Sequence, residues 1–599
     1  MPFIEPAGLQ DQYDVIVVGS GAAGGQTAYT LAMEGARVLM LEAGRNYSAE
    51  AETPMFQTPQ QAPLRGGSTP DKEFGFYDAT VDGGWNIPGE PYVNVSEERS
   101  RQFFWWRARM LGGRTNHWGR ISLRNGPYDF KARERDGLGF DWPFGYEDIA
   151  PYYDKVEMLI GVHGSRDGLE NTPDSPEGVL LPAPPPRAGE LLLRKGAGKV
   201  GVPVVAMRRA VLTRQLDHKR IPALLHPGNA RAQKIIAEHM AARAACFWAT
   251  DCGRGCSIRA NYQSTTVHIP PALGSGNLDI LTNAMVREVT LGKEGRASGV
   301  IFIDKRDGKE RTAKARIVTL AASACESVRI LLNSKSPQFP QGLANSSGNV
   351  GKYLMDTVGA GIQGQVPALE SMPPHNEDGT SGSHVYTPWW LYREQLAGKL
   401  DFPRGYHIEP GAGREMPNSG SITQVAHLSR AYGKGFREDM RRYYGSIVRL
   451  TGRGEMIPNE NSYCEIDSKA KDRYGIPVLR FTWKWSEHET RQAAHMHKAF
   501  AEIIDAMGGR VISKMETNGA KAIAPGGYII HEVGGAIMGT DPKKSVVNQY
   551  GQTWDVKNLF ITDGAPFPSN ADKNPTLTIM ALAWRSADYM LSAMKRKEL

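Results

Sequence analysis

About thirty residues near the start of the chain constrain its fold more than any other stretch. Tyr13-Asp14-Val15-Ile16-Val17-Val18 is a short apolar, β-branched run of the kind buried in a parallel sheet. It runs directly into Gly19-Ser20-Gly21-Ala22-Ala23-Gly24. A helix is expected over 28–34, closed by Gly35, and a second strand over 37–42 ends in the acid Glu42. Strand, glycine turn, helix, strand and acid in this order form a dinucleotide-binding fingerprint. Gly19 permits the tight turn, Gly21 lets backbone approach a pyrophosphate, and Gly24 lets the helix pack on the strand. The helix N-terminus offers open N–H groups to phosphate. Glu42 is expected to accept hydrogen bonds from the adenosine ribose. Gly274-Ser275-Gly276 lacks a third glycine at the right offset, so the sequence holds one such site.

With 599 residues the chain exceeds what one hydrophobic core serves, and two or more joined domains are expected. The formal charge of +7 is small for the length and scattered, which excludes a nucleic-acid groove as a main function. No apolar run reaches the length of a membrane span. Residues 1–12 lack a basic and then apolar segment, so no signal peptide is read there.

The C-terminal segment carries a denser string: His531-Glu532-Val533-Gly534-Gly535, Met538-Gly539-Thr540-Asp541-Pro542, Asn558-Leu559-Phe560-Ile561-Thr562-Asp563-Gly564, Phe567-Pro568 and Asn574-Pro575-Thr576. Leu559-Phe560-Ile561 reads as a buried strand, and Asp563 lies at its carboxyl end, where open α/β sheets bind ligands. Pro575 and Thr576 open a helix. This string resembles the glucose–methanol–choline (GMC) oxidoreductase family, nearest to the catalytic subunits of bacterial FAD-dependent sugar and glucoside dehydrogenases. The resemblance implies an α/β fold, with a GMC-type Rossmann-like FAD domain and a second, substrate domain on an antiparallel sheet. The FAD domain is expected to comprise 1–45, 105–130, 246–360 and 525–599, and the substrate or lid domain 46–104, 131–245 and 361–524. It also implies that His531 is a general base toward an alcohol and that Asn574 holds the substrate oxygen. Asp563, Pro575 and Thr576 fall at flavin contacts. Val286, after the strand expected over 278–283, is the matching adenine contact.

Gly112-Gly113-Arg114-Thr115-Asn116-His117-Trp118 is similar to the family's flavin-contact loop. Gly112, Gly113 and Asn116 are candidate contacts. His117 occupies a slot where a histidine can bond covalently to the flavin 8α-methyl; the alternative is a histidine that packs against the dimethylbenzene edge.

Cys246, Cys252 and Cys256 lie within eleven residues, with Gly253 and Gly255 between them. Thiolates on a glycine-bearing loop suit a metal cluster. The spacing resembles that of related sugar dehydrogenases with a three-iron (3Fe-4S) iron–sulfur centre. Zinc, or a disulfide between Cys252 and Cys256, is the other reading. Cys325 and Cys464 are expected to be buried thiols.

The function these features imply is FAD-dependent oxidation of a secondary hydroxyl of a sugar or glycoside, for instance at C3. Electrons would leave through the cluster to a cytochrome or quinone. An oxygen-using oxidase and a lyase of the same fold are the alternatives. Related enzymes pair with a small signal-bearing subunit and a cytochrome c, which implies co-export to the periplasm; the alternative is the cytoplasm. Phe103-Phe104-Trp105-Trp106 and Trp389-Trp390 are candidate sugar-stacking surfaces or core, and Gln424 and His427 are expected on a strand over 421–428 facing the substrate.

Overall fold

The computed structural model describes residues 3–52, 83–247, 252–292, 294–371, 382–412 and 419–599. Residues 53–82, 372–381 and 413–418 of the expected lid segments, and 248–251 of the cysteine loop, lie outside the described residues.

The fold is α/β, as expected. Five strands run parallel in the order Leu559–Ile561, Glu310–Leu320, Tyr13–Val18, Val38–Leu41, Leu278–Leu281. Every residue of Val38–Leu41 and Leu559–Ile561 is buried, as strands covered on both faces require. The strand Glu310–Leu320 changes partners along its length. Residues 310–314 pair antiparallel with Ala297–Asp304, and 315–320 join the parallel sheet. Ala297–Asp304 also pairs with Ala284–Leu291. Helices Ala22–Met33 and Thr576–Lys595 pack together over the sheet, so the two ends of the chain share one core.

The first helix starts at Ala22, not at 28 as the sequence suggested. Gly24 and Gly25 are poor helix formers, which hid the start. They are used here for close packing. A Cβ on Gly24 would lie 1.9 Å from the Gly19 carbonyl oxygen, and one on Gly25 would lie 2.0 Å from Ser264 Oγ.

The second sheet has four antiparallel strands in the order Tyr406–Gly411, Ile447–Gly454, Val358–Gln365, Arg510–Val511. Helix Glu487–Ala506 lies across it. Ser486 caps this helix and exchanges bonds with Glu489, a capping box. The approach is close because Gly452 and Gly454 lack side chains. A Cβ there would meet Met496 Sδ at 2.4 Å and Gln492 Oε1 at 1.8 Å.

One expectation about the second region is corrected. Gln424 and His427 lie on a helix, Ser419–Leu428, not a strand. The apolar residues at 422, 425 and 428 repeat every three positions, a helical spacing that local alternation had masked. The aromatic runs are mostly core: Phe103, Trp105 and Trp389 are buried. Trp389 packs on Tyr406 with ring centroids 4.7 Å apart.

Candidate active site

One cavity opens between the glycine turn, the 106–121 loop and the 529–532 segment. It holds about 1500 Å³ of atom-free space, mouth included. Its wall contains Gly19, Gly21, Glu42, Gly113, His117, Val286, His531, Asp563, Asn574, Pro575 and Thr576, residues from seven separated stretches of sequence.

At one end the turn does what its spacing predicted. Gly19 has φ +100°, and a Cβ would lie 2.4 Å from the Ala321 carbonyl oxygen. A Cβ on Gly21 would meet nothing within 4 Å: its space faces the cavity. Gly21 is also the helix N-cap and supplies no side-chain cap, so first-turn N–H groups stay open to an anion. Glu42 differs in part from expectation. One of its oxygens accepts the Gly44 N–H at 2.7 Å, and the other accepts the Ser20 N–H at 3.2 Å and the Ser20 hydroxyl. It therefore braces the turn as well as facing the cavity. The Ser20 hydroxyl oxygen also accepts the Gly112 N–H at 2.8 Å, which ties the 112–118 loop to the turn. Val286 lies on Ala284–Leu291, one strand later than the one singled out in the sequence, beyond a left-handed turn at Asn283.

Gly112 and Gly113 both have positive φ, and Gly113 comes within 3.6 Å of the Gly21 Cα when a Cβ is placed on it. Asn116 is buried outside the cavity wall; its amide donates to Leu111 O at 2.8 Å and holds the loop shut. Gly112 is likewise absent from the cavity wall and acts as the loop's left-handed hinge. His117 is buried, and the Trp106 indole N–H donates to its Nε2 at 3.0 Å. Indole only donates, so Nε2 accepts. Burial first, then Arg120 and Arg114, push His117 down to about 3, leaving a neutral ring.

At the other end His531 and Asn574 meet, with Asn574 Nδ2 3.4 Å from His531 Nε2. The chain reaches His531 through Ile530 at φ +65°, a conformation that costs a β-branched residue energy and is held by its surroundings. The His531 N–H donates to Asp356 at 3.0 Å, and its Nδ1 lies 3.1 Å from Thr357 Oγ1. Asn574 Nδ2 also donates to Glu409 Oε1 at 3.1 Å. An ionised carboxylate only accepts, so Glu409 fixes which way the amide faces. Burial opposes the charge on Glu409, but Arg453, His407 and Asn574 together hold it well below the carboxylate range. Strand pairing explains this group. His407 and Glu409 are two apart on one strand and share a face, and His407 pairs directly with Arg453 on the next. Arg453 lies 3.1 Å from Glu409.

The proton positions follow. Nδ2 of an amide is a donor, so His531 Nε2 is an acceptor. Burial first, then the Arg453 charge, lower His531 to about 3. The neutral ring carries its proton on Nδ1 and donates it to Thr357. The Nε2 lone pair thus faces the cavity beside Asn574. Thr357, Glu409, His407 and Arg453 were missed in the sequence because they lie in no motif; only the His-x-Glu alternation in 407–409 hinted at a polar strand face. Asp563, at the end of Leu559–Ile561, accepts the Ala565 N–H at 2.9 Å and the Ser327 hydroxyl. Burial pushes it up to about 6. Arg114 pairs with Glu532 at 2.6 Å on the cavity wall.

The GMC oxidoreductase profile matches residues 228–358 and, in its C-terminal part, 458–583; an FAD binding domain profile matches 14–148. The chain belongs to the GMC oxidoreductase family. As a GMC oxidoreductase it is an FAD-dependent enzyme acting on CH–OH groups. It is 28% identical over 97% of its length to a 2-methyl-1,2-propanediol dehydrogenase of Mycolicibacterium austroafricanum, covering 95% of that protein. It is 27% identical over 97% of its length to a fructose dehydrogenase large subunit of Gluconobacter japonicus, covering 98% of that protein. Its fold is similar to that of pyridoxine 4-oxidase from Mesorbium loti, with a TM-score of 0.59, 16% identity, and coverage of 96% of this chain and 99% of that one.

The three loop cysteines are not on the cavity wall. All five cysteines are thiols, so the disulfide reading is not met. Cys252 and Cys256 are buried, as are Cys325 and Cys464. Gly255, at φ +93°, turns the chain between Cys252 and Cys256.

Proposed function

We propose that this enzyme is a dehydrogenase that oxidises a secondary ring hydroxyl of a sugar or glycoside, such as C3. The observation that carries the chemistry is the pairing of His531 Nε2 with Asn574 Nδ2 at 3.4 Å on the cavity wall. A substrate oxygen lodged between them donates its proton to Nε2 and accepts the Asn574 N–H. The Nδ1 proton given to Thr357 keeps the ring in the accepting tautomer. Glu409, by holding Asn574, fixes where the oxygen lies. FAD bound in the cavity supplies the two-electron hydride acceptor. The open first turn at Gly21 and the space above Gly21 and Gly113 fit its pyrophosphate and ring. A covalent attachment at His117 would use Nδ1, because Nε2 accepts the Trp106 N–H.

Cys246, Cys252 and Cys256 are proposed to hold an iron–sulfur cluster of the 3Fe-4S type. Three thiols on one loop, two of them buried, and a left-handed glycine at the bend support this. Such a cluster takes electrons one at a time, which suits a cytochrome or quinone acceptor. The likeness to a dehydrogenase large subunit supports a small partner subunit, and co-export with such a subunit to the periplasm is the location proposed. Among the described residues no helix is long and apolar enough to cross a membrane.

An anaerobic absorbance spectrum of the purified protein, before and after a panel of sugars and diols, tests this. Bleaching of the flavin band by sugars, together with iron and sulfide in the protein, is expected. Stoichiometric peroxide in air from protein free of iron would instead establish an oxidase. Flavin that stays oxidised with the whole panel would exclude alcohol oxidation.

A further inference from the structure

The cysteine loop and the flavin-contact loop are more than one hundred residues apart in sequence, yet two buried side chains join them. Arg120 is one. It is held at φ +61°, a left-handed conformation that a non-glycine residue keeps only when its surroundings impose it. Its guanidinium donates to the carbonyls of Thr115 at 3.2 Å and Asn116 at 3.0 Å, and to that of Trp118. On its other side it donates to the Cys252 carbonyl. Gln263 is the second. Its Oε1 accepts the Cys256 N–H, and its Nε2 donates to Asn116 Oδ1, each at 3.1 Å. Each buried cysteine of the loop is therefore fastened to the segment that carries His117 and Trp118, both on the cavity wall. Arg243 secures the far side of the cysteine loop by donating to the Arg259 carbonyl at 3.0 Å and the Ile160 carbonyl at 2.9 Å.

We infer that Arg120 and Gln263 are the coupling between the cysteine loop and the flavin edge. A planar guanidinium that serves four carbonyls in two loops transmits displacement between them, because neither loop can shift without breaking buried hydrogen bonds. Whatever the thiols hold is felt at His117 and Trp118, and an occupied cavity steadies the cysteines in turn. The identity of the thiol-bound group rests on the iron–sulfur reading; the coupling does not.

The test uses the anaerobically purified holoenzyme, with iron and sulfide measured per flavin. A mercurial is titrated into the protein while the visible circular dichroism of the flavin is followed. Modified cysteines are identified by peptide mapping. In the wild type, modification of Cys252 and Cys256 is expected to change the flavin signal in step. Removing FAD is expected to speed their modification about tenfold, the equivalent of one or two buried hydrogen bonds. In R120M and Q263L the flavin signal should no longer follow the thiols, and FAD removal should no longer matter. R120K, which cannot span all four carbonyls, should be intermediate. Q263E keeps the acceptor for Cys256 N–H but loses the donor to Asn116, so it should behave as Q263L; it serves if R120M does not fold. A wild-type flavin signal unmoved by full modification of Cys252 and Cys256 would overturn the coupling. So would a Q263E or R120K protein that transmits as the wild type does. Wild-type protein without iron would sink the iron–sulfur reading alone, and the thiol titration would still decide the coupling.

Discussion

In the proposed mechanism His531 acts through a lone pair, and three neighbours determine where that lone pair points. Thr357 takes the Nδ1 proton, Asn574 faces Nε2, and Glu409 keeps the amide from turning over. Thr357→Val removes one hydrogen bond of about 1 kcal/mol, so kcat/KM is expected to fall by about fivefold while flavin content stays unchanged. Steady-state kinetics and the flavin-to-protein absorbance ratio check this. The pH dependence follows from burial. The neutral ring is the active form, and protonation fills the lone pair. Because burial and Arg453 lower His531 from 6.5 to about 3, its loss of activity on acidification is displaced to the acid side. His531 should therefore contribute no limb to the kcat/KM profile between about pH 5 and 8; any limb there belongs to Asp563, which burial pushes up to about 6, or Asp356, which burial pushes up to about 7. A limb near the ordinary histidine value that persists in Asp563→Asn and Asp356→Asn would mean that a different group is the base.

The strand–turn–helix element makes a sharper prediction, because its glycines have different jobs. A Cβ on Gly21 meets no protein atom within 4 Å but would enter the space a pyrophosphate needs; a Cβ on Gly24 strikes the Gly19 carbonyl. Gly21→Ala is expected to leave the thermal stability of flavin-free protein near that of the wild type while abolishing FAD retention. Gly24→Ala is expected to lower both, by about 1–3 kcal/mol of stability as for overpacked cores. Flavin content after desalting and thermal denaturation of the apoprotein separate the two. This element was legible in the sequence because backbone geometry leaves glycine little substitute, and its spacing prints that geometry directly. The helix start was not: Gly24 and Gly25 argue against helix locally, and only their packing on Gly19 and Ser264 explains them. His531, Asn574 and Asp563 were legible for the same reason as the turn, being set in strings with many fixed residues. Glu409 and Arg453 were not, since their meeting depends on the register of two strands some forty residues apart.

At the scale of the whole molecule, the parallel sheet is built from both ends and the middle of the chain. Strand Leu559–Ile561 pairs with Glu310–Leu320, and helix Thr576–Lys595 packs on Ala22–Met33. A chain ending before residue 559 thus leaves one side of Glu310–Leu320 and the first helix uncovered, and it is expected to be degraded rapidly in limited proteolysis, where the full chain is not. FAD bound in the cavity that these segments line should raise the melting temperature of the apoprotein, adding about 2.7 kcal/mol of stability at a hundredfold excess over Kd. In the proposed mechanism an imidazole lone pair and an amide N–H, converging in this cavity, activate a hydroxyl toward bound flavin. Anaerobic stopped-flow absorbance of the FAD-loaded wild type and His531→Ala, mixed with the sugar that bleaches the wild type, tests it most directly. The wild-type flavin should be reduced in a single turnover, and His531→Ala, with flavin still bound, should be slower by about 10²–10⁴-fold. Equal rates of bleaching in the two proteins would contradict it.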